Sequence, residues 1–378
     1  MGKVLFFTAC LLSVVAISIF CPARTIAKSI HDIEKELRGN GYDKPEVVTN
    51  LINFQPSCIG SQFWKQSPAQ FKQNNKKGNW TEEYWGENNL ILEAGAPQAF
   101  NIWNMLPVSV KVRYKDGNIE WININLWNKG DCGLADYQEV FRLYSRTKKQ
   151  LKKAAIEKTS EKQRFSSRVK RKWDRYQIGP AILELSFRRR EYLVVRLLPA
   201  ERGGVAPDTA GHKRQSLGRN LEANVTHDSS GEVVISGIPM INQGKKGYCA
   251  PATCARVLLY YGLDVDMHLL AEVMETKERG GTPWREVKYS LRRLASGNPI
   301  TCKQIRHYDM AKIRQYISSG IPVIWGIPGH LRLIVGYNDK EKMIIYSDTW
   351  GQESRYCRMP YDKAKAITYS LYVLQLSE

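Results

Sequence analysis

The chain is short of acid. Across 378 residues, 37 Asp and Glu stand against 56 Lys and Arg, a formal charge of +19 at pH 7. That imbalance bears on anionic partners rather than on fold. Metal-ligand spacing is missing as well. The eight cysteines, Cys10, Cys21, Cys58, Cys132, Cys249, Cys254, Cys302 and Cys357, include no Cys-x-x-Cys pair, which removes the common structural zinc patterns. Histidine is scarce, with His31, His212, His227, His268, His307 and His330 making up the whole set. After the first 21 residues no apolar run reaches membrane-spanning length. The apolar share of 43% is ordinary for a packed core, and the length suits two domains.

The N-terminus is rich in what the rest lacks. Lys3 precedes VLFFTACLLSVVAISIFC, followed by Pro22 and the small residues Ala23 and Ala27. Basic, then apolar, then small is the order of a secretory signal peptide, so residues 1–27 are expected to send the chain to a secreted or periplasmic location. The run is at the lower limit for a span, and an uncleaved signal would anchor the chain in the membrane. Phe20 is too bulky before Cys21 for a lipidation signal. In an oxidising compartment the six cysteines that remain are even in number, and all of them, Cys249 included, can be read as disulfides. Parity alone pairs Cys302 with Cys357 and Cys58 with Cys132, leaving Cys249 and Cys254 free.

SIHDIEKEL (29–37) reads as an amphipathic helix, and residues 45–105 show poor periodicity. VSVKVRY and IEWININLW alternate around Lys115-Asp116-Gly117-Asn118, which predicts a β-hairpin, and YLVVRLLP (192–199) reads as a strand. The segment 136–176 holds fourteen Lys and Arg against five acids and reads as a charged helix. A solvated helix face is the first reading, and a patch for an anionic envelope surface is the second. With no aromatic interleaving and no nucleic-acid motif, no specific nucleic acid is predicted. Gly, Ser and Asn dominate 201–233, the expected linker. The division is therefore signal 1–27, a basic N-terminal region 28–200 with a β-hairpin and a charged helix, linker 201–233 and a C-terminal domain 234–378. Arg188-Arg189-Arg190 and Lys213-Arg214 are candidate processing sites.

In that last domain NQGKKGYCAPATCARVLLYYG (242–262) carries a proline in the first turn of a helical pattern and a glycine just past its end. Cys249 is thereby placed at a helix N-terminus, where the dipole and orphan N–H groups favour a thiolate. Helical patterns follow at DMHLLAEVMET, PWREVKYSLRRLAS and DMAKIRQYISSG, and strand-like runs at ITCKQI, IPVIWGI, HLRLIVGY, KMIIYSD and SLYVLQL. Helices followed by an antiparallel meander make an α+β domain. A thiolate nucleophile needs a base, and the base needs an orienting acid. His330 opens a strand behind Pro328-Gly329, and two strands joined through Asn338-Asp339-Lys340 would return Asp348 to its side. Gln243 lies in the loop before the helix, where its amide could join the Cys249 N–H as an oxyanion donor. Cys254 reads as packing, His268 as a helix-face residue and His307 as a strand-end residue. Asp339 reads as a turn former, with a fallback role as the acid.

The order of Gln, Cys at a helix start, then distant His and Asp resembles the papain-like cysteine peptidases. The pieces IPMINQGKKGYCAPATCARVLLYYG, GGTPWREVKYSLRRL, SGIPVIWGI and HLRLIVGYNDKEKMIIYSDTWG are similar to the bacteriocin-processing (double-glycine) peptidase family thirty-nine and its relatives, over residues 235–378 only. The resemblance implies a papain-like domain, its Cys-bearing helix packed on an antiparallel sheet that bears His and Asp. It also implies Cys249 as nucleophile, His330 as general base and acid, Asp348 as orienter and Gln243 in the oxyanion hole. The expected activity is hydrolysis of peptide bonds in a peptide or protein substrate, with no metal or cofactor. A Cys-dependent acyltransferase of transglutaminase type and an inactive papain-like binding or adaptor protein are the alternatives. Family members of the bacteriocin-processing type sit on transporters, whereas this chain lacks transporter helices, so cleavage of double-glycine leaders is not carried over.

Overall fold

The computed structural model describes residues 61–377, apart from 85–88, 101, 103–105, 133–136, 156, 165–169, 203–219, 264, 278–279 and 297–298. The expected signal peptide, the helix at 29–37, Cys58 with its proposed pairing, and Lys213-Arg214 lie outside the described residues.

The first sheet has the order β1-β2-β3-β4-β8-β7-β6-β5. Its strands are β1 (Trp80–Tyr84), β2 (Asn89–Ala94), β3 (Ser109–Lys115), β4 (Asn118–Asn128), β5 (Glu157–Arg164), β6 (Lys170–Ile178), β7 (Ala181–Arg188) and β8 (Tyr192–Pro199). Helix α1 (Pro68–Asn74) precedes β1, and the short α2 (Lys129–Cys132) and longer α3 (Tyr137–Ala154) follow β4. The β3–β4 hairpin forms where the alternation predicts it, with Lys115 opposite Asn118. Asp116 and Gly117 both take positive φ, 51° and 76°, as a two-residue turn matching the strand twist requires.

Strand β8 is buried at every position, and its alternation shows why. Leu193, Val195 and Leu197 face a core that includes Val140, Leu143 and Leu151 of α3. Tyr192 and Val194 face the other way, into the C-terminal core, together with Trp173 of β6. Since successive strand residues point to opposite faces, an unbroken apolar run is what a sheet covered on both sides demands.

The segment 136–176, read as helical throughout, is helical only over α3. The edge strand β5 pairs with β6 from Glu157 opposite Gln177 to Arg164 opposite Lys170. Residues with almost no apolar content form strands here because the neighbours supply the burial. The Arg171 guanidinium lies 4.5 Å from the Trp173 ring centre and 4.7 Å from that of Tyr192, and Lys148 and Lys172 pair with Asp174.

The second sheet follows the order β11-β16-β12-β13-β10-β9, with β14 on the free side of β13 and β15 beyond it. It is built from β9 (Val225–His227), β10 (Glu232–Ile235), β11 (Ile300–Ile305), β12 (Val323–Ile327), β13 (His330–Asn338), β14 (Met343–Ser347), β15 (Cys357–Pro360) and β16 (Ser370–Leu376). Residues 225–233, read as the end of the linker, thus belong to this sheet, with Val233 opposite Tyr337. Their polar, exposed composition is that of an edge hairpin. Helices α4 (Cys249–Tyr260), α5 (Met267–Val273), α6 (Trp284–Ala295), α7 (Met310–Ser318) and α8 (Tyr361–Ile367) complete this α+β half. Helix α4 is buried on nearly all sides, the mark of a central helix, and Thr253 Oγ1 ties it to the sheet by donating to the Leu331 carbonyl at 3.1 Å.

Among the described residues, Cys249, Cys254, Cys302 and Cys357 are free thiols. The pairing of Cys302 with Cys357 fails on topology. They sit on β11 and β15, at opposite edges of the sheet, separated by five strand spacings. At about 4.8 Å per spacing, that distance is several times what a disulfide bridges. Among the described residues no helix is long and apolar enough to cross a membrane.

Candidate active site

Cys249 is the first residue of α4 and is half-buried. The chain reaches it through a tight loop, 244–248, whose Gly247 lies so close to Gly281 that a Cβ there would stand 2.7 Å from the Gly281 Cα. Only glycine allows that approach. At the helix start the Cys249 N–H has no partner within its own helix, and the dipole presents its positive end to the sulfur.

His330 comes from the sheet. Ile327 and His330 are paired across Pro328 and Gly329, and Gly329 takes the φ of 73° that this turn uses. On the other edge of β13, Leu333 faces Ser347 of β14, so the residue after β14 returns towards the start of β13. That residue is Asp348, and its Oδ1 lies 2.6 Å from His330 Nε2. Cys249 lies near enough to this imidazole for its sulfur to favour the protonated ring. Asp348 is fixed by two further contacts, the Thr349 N–H donating to Oδ1 at 2.7 Å and Arg332 Nε at 3.3 Å from Oδ2.

The electrostatics favour a charged pair. Burial disfavours the imidazolium of His330, but hydrogen bonds to Asp348 and Cys249 outweigh it and push its pKa from 6.5 up to about 9. Burial likewise works against the Asp348 carboxylate. The His330 hydrogen bond, the Thr349 N–H and Arg332 overcome it, holding the carboxyl below its ordinary range.

Gln243 is 4% exposed and locked at both ends of its amide. Oε1 accepts from Thr349 Oγ1 at 2.6 Å, and Nε2 donates to the Lys246 carbonyl at 3.0 Å. A backbone bond from the Gln243 N–H to the Thr349 carbonyl at 2.8 Å joins the two loops. The bond to the Lys246 carbonyl uses one of the two amide hydrogens of Nε2.

The structure therefore joins His330 to Asp348 and sets Cys249 near that imidazole, and it ties Gln243 to Thr349, the residue after Asp348. Asp339 is not among them. It lies at the far end of β13, gripped by Arg314, whose Nη2 is 2.6 Å from Oδ1, and by Tyr361.

Three residues escape sequence reasoning. Thr349 bridges Gln243 to Asp348. Trp350 stacks on His330, with ring centres 5.6 Å apart and planes at 21°, while staying 52% exposed. Arg256, fully buried in α4, donates through Nε to the Pro239 carbonyl at 2.8 Å, through Nη1 to the Asp348 carbonyl at 3.1 Å and through Nη2 to Ser347 Oγ at 2.5 Å. It pins the acid-bearing loop to the nucleophile's helix. The one signal for it was a charge inside an otherwise apolar helix, CAPATCARVLLY. Among the described residues no group of three His, Cys, Asp or Glu is placed to hold a metal ion.

Residues 235–373 match the model of the Peptidase_C39 like family. Two solved structures are similar to the chain. One is the peptidase domain of Streptococcus ComA, a bifunctional ABC transporter involved in a quorum-sensing pathway, at 18% identity, with 37% of this chain and 98% of that one covered and a TM-score of 0.31. The other is xylellain, a cysteine protease from Xylella fastidiosa, at 12% identity, with 42% and 90% covered and a TM-score of 0.33. No curated protein matches the chain. The stretch that matches the Peptidase_C39 like family model, residues 235–373, is the one that carries Cys249, His330 and Asp348, with the cysteine-bearing helix packed on an antiparallel sheet.

Proposed function

We propose that this chain is an exported cysteine peptidase that cleaves peptide bonds through Cys249, His330 and Asp348. The observation that carries the reading is the His330 imidazole held by Asp348 at 2.6 Å, with Cys249 at a helix N-terminus near enough to favour its protonated form. An imidazole with a pKa raised to about 9 is a strong enough base to take the thiol proton as the nucleophile is engaged. The thiolate attacks the scissile carbonyl, and the oxyanion is met by the Cys249 N–H and the remaining Gln243 amide hydrogen. His330 then gives its proton to the leaving amine. Water, deprotonated by the now neutral His330, hydrolyses the thioester and restores the pair.

The test is the alkylation rate of Cys249 by iodoacetamide against pH, read by peptide mass mapping, with His330→Ala as control. Fast reaction at pH 6 that is lost in the control is expected, since an ordinary thiol with a pKa of about 8.5 is nearly inert there. A Cys249 that reacts like Cys302 and Cys357 would refute the proposal. Export rests on the residue order of 1–27, and recovery of the native protein only from the cytoplasm would overturn that part.

The partner proposed for segment 136–176 is an anionic lipid surface. Arg142, Arg146, Lys149 and Lys153 are exposed and spaced four, three and four residues apart, which lines them along one face of α3. Co-sedimentation with phosphatidylglycerol vesicles, weakening with salt and lost when all four become Gln, is the expected result. Equal binding to neutral vesicles would refute it.

A further inference from the structure

Two segments of the N-terminal half reach the loops that carry the site. The first is α2. Its Asp131 accepts from Lys246 Nζ, and the Lys246 side chain is only 6% exposed, its ammonium 5.4 Å from the Tyr248 ring centre. Asp131 is itself held in place. Asn128 Nδ2 donates to its Oδ2 at 2.6 Å, Asn128 Oδ1 accepts from its backbone N–H at 3.0 Å, and His268 Nε2 stands 3.6 Å from Oδ2. The Lys246 carbonyl is the group to which Gln243 donates. Next to Asp131, Gly130 lies so close to Tyr248 that a Cβ there would stand 2.5 Å from the ring. Tyr248 immediately precedes Cys249, and it shares a buried cluster with Trp173, Tyr192 and Val194 of the N-terminal sheet.

The second segment is β1. Glu83 Oε1 accepts from the Met240 N–H at 2.9 Å and from Arg355 Nη2 at 2.7 Å, and Oε2 accepts from Gln352 Nε2 at 2.7 Å. These partners flank the Asp348 loop, where the Asp348 N–H donates to the Ser354 carbonyl at 2.8 Å. Each half of the site therefore has a charged tether to the same N-terminal sheet.

We propose that the N-terminal sheet is a built-in positioning unit for the active site, in which Asp131, through Lys246, sets the oxyanion donor Gln243. The inference rests on the peptidase reading above and assigns work to a region whose sequence announced none. Asp131 is a positioning residue and touches no reacting atom. The physical reason is the cost of a buried ammonium without its counter-charge. With a neutral residue at 131, Lys246 turns towards water and draws loop 244–248 with it, releasing the carbonyl that orients Gln243. A displacement of about 1 Å at such a donor is worth on the order of a hundredfold in rate.

The experiment compares two reactions of Cys249 in the full chain. With p-nitrophenyl acetate the thiolate adds to the carbonyl, the new C–S bond forms as p-nitrophenolate departs, and the step passes through an oxyanion. Iodoacetamide reacts by displacement of iodide and forms no oxyanion. Asp131→Asn is expected to lower the ratio of acylation to alkylation by about 10- to 100-fold, within the range for losing an oxyanion donor. Lys246→Met cuts the same link from the other side, leaving Asp131 to Asn128 and His268, and is expected to lower the ratio too, and the double variant should fall no further than the worse single one. A ratio within about threefold of wild type in both single variants overturns the inference, as do losses that add in the double variant. If wild-type Cys249 shows no fast alkylation at pH 6, the peptidase reading itself fails, a result separable from either outcome.

Discussion

Replacing Asp348 by Asn tests the central electrostatic claim, because it removes a charge and keeps the shape. His330 is carried from an ordinary 6.5 to about 9, a preference for the imidazolium worth ~3 kcal/mol. Burial opposes that preference, so the two hydrogen-bond partners supply more than the net, and Asp348 supplies the larger part. Without its charge the imidazole returns to its ordinary affinity or falls below it. Proton transfer from Cys249 to His330 then loses about 1.5 to 2.5 powers of ten. Alkylation of Cys249 at pH 6 should therefore slow by about 30- to 300-fold in Asp348→Asn, while at pH 10, where ordinary thiols are ionised, the variant should match wild type. Iodoacetamide kinetics with peptide mapping read both limits. A slowing of less than about threefold at pH 6 would mean that Asp348 does not hold the imidazolium, and the reasoning would fall.

Gln243→Ala should cost about 10²- to 10³-fold in acylation by p-nitrophenyl acetate, the usual price of an oxyanion donor, and leave alkylation within about twofold. Arg256→Met leaves the Pro239 and Asp348 carbonyls and Ser347 Oγ without their donor, and urea unfolding should show a loss of about 2–4 kcal/mol. Arg256→Lys should not restore it, since one ammonium cannot span three directions. The pH dependence has a definite sign. A folded pKa raised to about 9 means that His330 contributes its stability in full below 6.5 and loses it as pH rises through 9. The urea midpoints of wild type and His330→Ala should therefore draw together between pH 6 and 9.5, and a gap that widens instead would contradict the assignment.

What could be read without coordinates was whatever short-range physics dictates. Asp116-Gly117 between alternating apolar residues forces the hairpin. Pro251 and Gly262 bound the helix that Cys249 opens. Two antiparallel strands joined by a short turn bring residue 348 back to residue 330. What escaped reading depended on partners far away in the chain. EKTSEKQR has no apolar face and is a strand only because β6 offers it an edge. The Arg256 guanidinium is tolerable in the core only because Pro239, Ser347 and Asp348 converge on it. Parity suggested joining Cys302 to Cys357, and sheet order holds them apart.

The same division runs through the site. Residue types and their local settings, a thiol at a helix start and a histidine before a strand, were set by the sequence alone, since they depend on dihedral preferences and periodicity. The tertiary structure alone decided that Asp131 and Glu83, more than a hundred residues from their partners, hold the loops of Gln243 and Asp348. Packing the N-terminal half against the C-terminal half is what brings those charges into contact, and no local pattern encodes the meeting.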